Sequence, residues 1–350
     1  MTRPSTTDPS RMTASAMSRP AVRGRRLPTF TACEKLRTHR GRIRPIGQGE
    51  PSGMSERIVR APAKINLTLE ILARRDDGYH TLRSVMVPIG LEDELSLTPA
   101  PQFRFSCDPP ELTTGNLVVR AFEQLDLLAT PLAISLRKRI PVGAGLGGGS
   151  TDAAAILRLA MEGAFGPTGQ RDWIAEARAL GSDVPFFLTG TAALVEATGE
   201  RVTALGPLPP WWIVLLAPAV HVDTGDAYRR LASARNTQPM PTRPRAGSAS
   251  LHVVEALQRA DYPATITAMT NDFEALVAAN YPPVAAALAA LRTAGAAHAM
   301  LSGSGGATFA LCETEASART LAEALVTPPG ARVHVVPLVH DPAWRRPQTG

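Results

Sequence analysis

Pro141-Val142-Gly143-Ala144-Gly145-Leu146-Gly147-Gly148-Gly149-Ser150-Thr151 decides how this chain is read. Five glycines and two hydroxyls fall within eleven residues. Upstream, Ala133-Ile134-Ser135-Leu136 has the composition of a short strand. Downstream, Asp152 to Met161 places Ala153, Ile156, Leu157 and Ala160 on one helical face. Glycine admits positive φ and lets backbone approach a ligand closely. The first turn of the following helix offers unpaired N–H groups and the positive end of its dipole. A strand, a glycine-rich turn and a helix start together predict an anion site, suited to nucleotide phosphates.

Two common glycine motifs do not account for the stretch. Gly143 to Gly148 satisfies G-x-G-x-x-G, but that motif also needs an acidic residue ending a second strand about 20 residues on. Pro167-Thr168-Gly169-Gln170-Arg171-Asp172 reads there as a turn opening a helix. The pattern G-x-x-x-x-G-K-[ST] fails because no lysine follows the glycines. A tight helix entry without a ligand is the remaining alternative.

The chain of 350 residues is 44% hydrophobic and 19% charged, as expected of a globular protein with a sizeable core. No apolar run approaches the roughly 18 residues of a membrane span, and Trp211 to Val220 reads as a buried strand. Cys33, Cys107 and Cys312 are widely separated, forming neither a disulfide framework nor a metal cluster, which predicts a reducing compartment. Residues 1–53 carry 11 Lys/Arg against 3 Asp/Glu; the overall +6 less this +8 leaves −2 for the rest. The basic balance therefore belongs to the tail, and neither a nucleic-acid footprint nor a membrane partner is expected of the body. Residues 1–53 are rich in Arg, Ser, Thr, Pro and Gly, and are read as a disordered basic N-terminal extension. Three origins fit it: translated upstream sequence before Met54, a native disordered arm, or a transit peptide. The expected location is cytoplasmic, or a plastid in the transit-peptide case.

Strands are predicted over residues 57–71, 81–89, 94–98 and 103–107, with a helix over 116–128. Two helices follow the glycine-rich stretch, then strands at 192–196 and 211–216. Residues 233–250 lack periodicity and read as a loop. Helices fill 251–292, strands lie within 298–311, a helix spans 316–325, and a strand covers 332–338. Strands and helices mix without a steady βαβ rhythm, so the fold class is α+β.

The Pro-x-Gly-x-Gly-Leu-Gly-Gly-Gly-Ser order resembles the second motif of the GHMP kinases. Ala61-Pro62-Ala63-Lys64-Ile65-Asn66-Leu67 is similar to that family's first motif, and Leu301-Ser302-Gly303-Ser304-Gly305-Gly306-Ala307-Thr308-Phe309 to its third. Asp77-Gly78-Tyr79-His80-Thr81-Leu82, Leu180-Gly181-Ser182-Asp183-Val184-Pro185-Phe186-Phe187, Pro218 to Thr224 and Asn271-Asp272-Phe273-Glu274 resemble the members that act on a cytidine-diphosphate-linked methylerythritol. The likeness covers residue 57 to about residue 340. It implies a two-domain α+β fold with the active site in the interdomain cleft, an ATP-binding domain over 54–216 and a second domain over 217–350. It also implies ATP with Mg²⁺, phosphorylation of the substrate's 2-hydroxyl in the non-mevalonate route to isoprenoid precursors, and a monomer or weak dimer. A homoserine or sugar kinase of the same family, or a nucleotide-binding sensor without turnover, are the rival readings.

Site residues follow from the same likeness. Residues 141–151 would hold the nucleotide, with Ser150 and Thr151 adding hydroxyls; on pattern alone these two are equally a helix N-cap. No acidic cluster marks a protein-built metal cage. Asp183 matches the family's catalytic aspartate and would accept the substrate hydroxyl's proton; by pattern it is also a helix cap or a surface carboxylate. Lys64 would enter the site as its partner, although a lysine between apolar residues usually points to solvent from a strand's outer face. Asn66, two residues on, shares that face and could orient the hydroxyl or a phosphate. Tyr79 and His80 would meet the cytosine, and Thr224 would form part of the substrate wall. Pro88 stands where an aromatic near the base is expected. Ser302–Gly306 would bring backbone to the phosphates, or form a hairpin without ligand contact.

Overall fold

Long β-branched and apolar runs make the first two strands the spine of the molecule. In the computed structural model, residues 56–74, 80–237 and 248–339 are described. The basic tail, the Asp76-Asp77-Gly78 turn and Tyr79 lie outside them. β1 (Arg57–Arg74) and β2 (His80–Pro99) pair antiparallel along nearly their whole length. The strands predicted at 81–89 and 94–98 are thus one strand, because register shifts at Pro62/Ala63 and Asn66/Thr68 absorb the irregularities without breaking the ladder.

β3 (Arg104–Asp108) runs parallel to β4 (Leu132–Arg137), which pairs with the far half of β2. Between them α1 (Leu117–Gln124) is capped by the Asn116 side chain, which accepts the Val118 N–H. It stops four residues before the predicted Leu128, and Asp126 beyond it takes φ 58°. α2 (Gly148–Met161), α3 (Trp173–Leu180) and α4 (Val184–Thr189) follow, then β5 (Ala193–Ala197) on the near half of β2 and β6 (Arg201–Ala204) on β5.

A second sheet is built from β7 (Trp212–Ala217) and three later strands. α5 (Thr224–Thr237) continues through the start of the predicted loop. Then come α6 (Ala249–Gln258), α7 (Tyr262–Ala268), the two-residue β8 (Thr270–Asn271) parallel to β1, α8 (Glu274–Asn280) and α9 (Pro282–Thr293). The strand region predicted at 298–311 divides into β9 (Ala299–Leu301) and β10 (Thr308–Cys312), with α10 (Glu315–Glu323) and β11 (Arg332–Pro337) completing the fold. Sheet order is β3-β4-β2-β1-β8, with β5 and β6 extending from β2, and β11-β7-β10-β9 in the second sheet. β7, which runs across the expected 216/217 division, pairs with strands of the second sheet.

One apolar layer, including Ile65, Leu67, Val87 and Ile89 of the first sheet and Ile213, Leu215 and Phe309 of the second, is sealed from water. Burying each such side chain contributes about 2 kcal/mol. A second layer packs α1, α2 and α4 through Phe122, Leu157 and Phe186. The Val339 N–H donates to the Pro88 carbonyl at 2.9 Å, a direct tie between the C-terminal strand region and β2. Among the described residues, no single helix is long and apolar enough to cross a membrane.

Candidate active site

The glycine-rich stretch folds as a turn with positive φ at Gly143, Gly145 and Gly147, a conformation that favours glycine. α2 begins at Gly148, four residues before the predicted Asp152, because Gly147 is the N-cap at φ 72° and the Thr151 N–H already reaches the Gly147 carbonyl at 2.9 Å. Ser150 and Thr151 are consequently inside the first turn and not the cap. The amides at the head of the helix have no acceptor within it, and Gly147, Gly148, Gly149 and Ser150 line a cleft of about 540 Å³. Gly145, at φ 75°, approaches the third motif so closely that a Cβ would lie 2.3 Å from the Ser302 carbonyl oxygen.

The third motif is the loop between β9 and β10, and it lies against that turn. The Ala307 N–H donates to the Ala144 carbonyl at 2.9 Å, and Ser302 Oγ to the Gly145 carbonyl at 3.2 Å. Asn271 explains why its segment carries a recognisable pattern: Nδ2 donates to both the Leu301 and Gly303 carbonyls at 2.8 Å, fixing the motif's backbone. Gly303 and Ser304 reach the cleft.

β1 brings Lys64 beside this cradle. Its N–H donates to the Leu146 carbonyl at 3.0 Å, so the strand is bonded to the turn itself. The side chain does not point to solvent: Lys64 is 3% exposed. Its Nζ donates to Asn66 Oδ1 at 2.8 Å and lies 3.4 Å from Asp183 Oδ2. Asn66 Nδ2 in turn donates to Ser84 Oγ at 2.8 Å. Asp183 occupies the N-cap position of α4, yet its side chain makes no capping hydrogen bond. The carboxylate is turned toward the lysine instead, and both line the cleft. The buried ammonium thus meets a counter-charge in Asp183 and a neutral acceptor in Asn66 Oδ1.

The residues expected on the substrate side are spread more widely. Thr224 opens α5, with Oγ1 2.7 Å from Ser304 Oγ. His80 opens β2, its ring centroid 5.5 Å from that of Tyr228 and tilted by 34°. Tyr79 lies outside the described residues. Pro88 is buried opposite Lys64 in the β1–β2 ladder and is absent from the cleft wall. Among the described residues, the aromatic ring that lines the cleft is Tyr228. It packs edge-on to Phe273 at 4.8 Å, and burial, then the nearby Asp183 charge, push its phenol well above its ordinary value. Sequence reasoning passed over Tyr228, although it stands four residues after Thr224 on the same helical face.

A second group that sequence reasoning passed over sits under the glycine turn. Lys138 Nζ binds both Asp93 and Asp152, the latter at 2.6 Å, and a Cβ on Gly148 would be 3.2 Å from that Nζ. Asp93 also accepts the backbone N–H groups of Arg139 at 2.5 Å and Ile140 at 2.9 Å. Asp152 Oδ1 is buried without a partner, and burial pushes this carboxyl up to about 7. Among the described residues no group of three or more His, Cys, Asp or Glu could hold a metal ion.

The arrangement can grip a polyphosphate, set a carboxylate beside an ammonium, and receive a second molecule against an aromatic wall. Comparison with known proteins shows the family. The model of the GHMP kinases N terminal domain matches residues 116–191, and that of the GHMP kinases C terminal matches 253–328. A 4-diphosphocytidyl-2-C-methyl-D-erythritol kinase of Citrifermentans bemidjiense is 39% identical over 269 residues, covering 74% of this chain and 90% of its own. The kinase of the same description from Deinococcus radiodurans is 40% identical over 272 residues, covering 76% and 87%. A crystal structure of a 4-(cytidine 5'-diphospho)-2C-methyl-D-erythritol kinase superposes with a TM-score of 0.64 at 35% identity, covering 81% of this chain and 99% of that one. The homoserine kinase of Cytophaga hutchinsonii shares the fold alone, at 20% identity and a TM-score of 0.59. The chain belongs to the GHMP kinases, within the branch of the 4-diphosphocytidyl-2-C-methyl-D-erythritol kinases.

Proposed function

We propose that this protein transfers the γ-phosphoryl group of ATP to the 2-hydroxyl of 4-diphosphocytidyl-2-C-methyl-D-erythritol, in the non-mevalonate route to isoprenoid precursors. The observation that carries the reading is the meeting of Lys64 and Asp183, 3.4 Å apart, beside the Gly147–Ser150 helix start. The substrate's hydroxyl oxygen bonds to the γ-phosphorus as the bond to the β–γ bridging oxygen breaks, and ADP leaves with that electron pair. Asp183 takes the hydroxyl proton late in a loose transition state, because an alcohol is a far weaker acid than a carboxylic acid. Lys64 pairs with Asp183 and neutralises charge on the transferring group. Asn66, braced by Ser84, orients Lys64 and the acceptor hydroxyl.

The phosphates rest on the amides of residues 147–150, with Pro141 to Leu146 and Thr151 shaping the turn. Mg²⁺ bound with the nucleotide would supply charge neutralisation at the phosphates. The Ser150 hydroxyl is the oxygen donor this chain adds. Tyr228 and His80 form the base end of the acceptor site, with Tyr79 adjoining in sequence and Thr224 on the wall between base and phosphates. Tyr228 takes the stacking place that Pro88 leaves vacant. A coupled ADP-release assay tests the reading: turnover is expected with the cytidyl substrate and not with homoserine, mevalonate or simple sugars. Equal turnover of a simple alcohol would sink it.

A further inference from the structure

The turn joining β5 to β6, Thr198-Gly199-Glu200, is a hairpin tip that the proposed reaction does not use, yet Thr198 and Gly199 line the cleft. Its backbone is unusual at two positions. Ala197 takes φ 63°, and Gly199 takes φ 112°. A Cβ on Gly199 would stand 2.5 Å from the Ser182 carbonyl oxygen and 3.3 Å from its carbon. A hairpin turn alone explains a glycine at positive φ. It does not explain direct backbone contact with the peptide that leads into Asp183.

The tip is braced from within. Glu200 Oε2 accepts the Thr198 N–H at 2.9 Å and the Thr198 hydroxyl at 2.7 Å, and the Gly199 N–H reaches the Glu196 carbonyl at 3.2 Å. Asp183 needs such external support. Its side chain makes no capping bond, and its carboxylate meets Lys64 through a 3.4 Å ion pair that does not fix an angle. What sets its direction is the backbone of Ser182 and Asp183. That backbone is held by the Val184 N–H to Gly181 carbonyl bond at 3.2 Å on one side. Gly199 presses on the other. Strained backbone next to a reacting group is where a fold stores positional control.

We infer that the β5–β6 tip positions the catalytic base: Gly199, stiffened by the Glu200–Thr198 bonds, abuts the Ser182 carbonyl and sets the aim of the Asp183 carboxylate. Gly199 and Glu200 are positioning residues, since neither has to touch substrate. The inference rests on Asp183 acting as the base in the proposed reaction.

The test compares Gly199→Ala, Glu200→Ala and Gly330→Ala with the wild type. Gly330 is also at positive φ, 73°, but its Cβ would meet nothing closer than Ala219 Cβ at 3.4 Å, in a loop away from the cleft. Steady-state kinetics, ADP affinity by calorimetry and melting temperature are measured for each. Displacing a reacting group by about 1 Å costs on the order of 100-fold. Gly199→Ala is therefore expected to lower kcat by about 10–100-fold while both KM values and ADP affinity hold. Glu200→Ala, which removes the brace without a clash, should lower kcat by roughly 3–10-fold with the same pattern. Gly330→Ala should lower the melting temperature and leave kcat alone. Unchanged kcat in Gly199→Ala, or a kcat loss matched by lost ADP affinity, overturns the inference. Should Gly199→Ala not fold, Glu200→Ala decides alone, and wild-type kcat in it overturns the inference. A wild type that binds ADP but phosphorylates no cytidyl substrate defeats the functional reading itself, a separate result.

Discussion

Asp152→Asn tests whether the buried charge set beneath the glycine turn behaves as its geometry demands. Two carboxylates, Asp93 and Asp152, share one ammonium, Lys138, and all three are withdrawn from water. With every group ionised the set carries a net −1. Asp152 yields because its Oδ1 has no partner, whereas Asp93 accepts two backbone N–H groups besides the lysine. Its carboxyl is accordingly raised from 3.8 to about 7, with burial the largest cause, then Lys138 opposing and Asp93 adding. A carboxyl whose folded value lies above its unfolded value makes the native state hold the proton more tightly. Stability then falls as pH rises from about 4 to about 7, by about 1.4 kcal/mol per unit, and levels off above. The accumulated penalty is on the order of 4 kcal/mol. Asparagine matches the protonated acid in shape and cannot ionise. The variant should thus track the wild type near pH 4, apart from a constant offset of about 1–2 kcal/mol for an unsatisfied amide. It should gain on the wild type steadily up to pH 7 and no further. Urea unfolding at pH 5, 6, 7 and 8, extrapolated linearly to water, reads the difference. A gap that is flat across this range would refute the reasoning, because the carboxylate would then be ionised and adequately paired in the native state.

Other outcomes follow from the same coordinates. Asp183→Ala should lower kcat by about 10²–10⁴-fold, with ADP binding intact, because Lys64 keeps Asn66 Oδ1 as a partner and the cradle is untouched. Near-normal turnover in it would refute the base assignment. Tyr228→Ala should raise KM for the cytidyl substrate by about 10-fold, the value of one base stack of about 1–3 kcal/mol, without moving KM for ATP. His298 and His334 are held below their ordinary 6.5, chiefly by burial. The unfolded chain binds their protons first, so stability should fall as pH drops below about 6.5. In a His298→Asn, His334→Gln double variant that acid-side fall should shrink, as read by melting temperature between pH 7 and 5.

The reach of sequence reasoning depended on how local the determining contacts are. The glycine turn was legible because positive φ at Gly143, Gly145 and Gly147 is a local demand that no other residue meets cheaply. Where the helix begins was not, since three glycines and two hydroxyls look like poor helix, and the Gly147 cap overrides that propensity. Asn116, Asp172 and Asp261 cap their helices with their own side chains, so those starts could be read from sequence. Asp183 looks the same on paper and does no capping. Only the arrival of Lys64, 119 positions away in the sequence, draws its carboxylate into the cleft. The Asp93–Lys138–Asp152 set was invisible for the same reason, as three separate segments must fold before the charges meet.

β1 shows why Lys64 was the hardest residue to place. Lys64, Asn66, Thr68 and Glu70 alternate with Ile65, Leu67 and Leu69, the signature of a strand with one wet face. All four are nevertheless buried. β1 lies between β2 and β8, and each polar group finds a fixed partner. Lys64 meets Asn66, Asn66 meets Ser84, and the Ser84 hydroxyl donates to the Thr68 carbonyl at 2.5 Å. The Thr68 and Ser250 hydroxyls lie 2.7 Å apart, and Ser250 donates to Glu70 Oε2 at 2.7 Å. Glu70 also accepts the Ser250 N–H at the head of α6, serving a helix whose own cap, Ser248, makes no capping bond. Alternation alone cannot tell a solvated face from a satisfied polar seam, because both have period two. What distinguishes them is the bonding of β1 to the glycine turn at Leu146, which closes water away from the strand just where its charge is needed. The seam that misleads a periodicity argument is therefore the structure that keeps the Lys64 ammonium out of water beside the glycine turn, as its proposed action on a phosphoryl group requires.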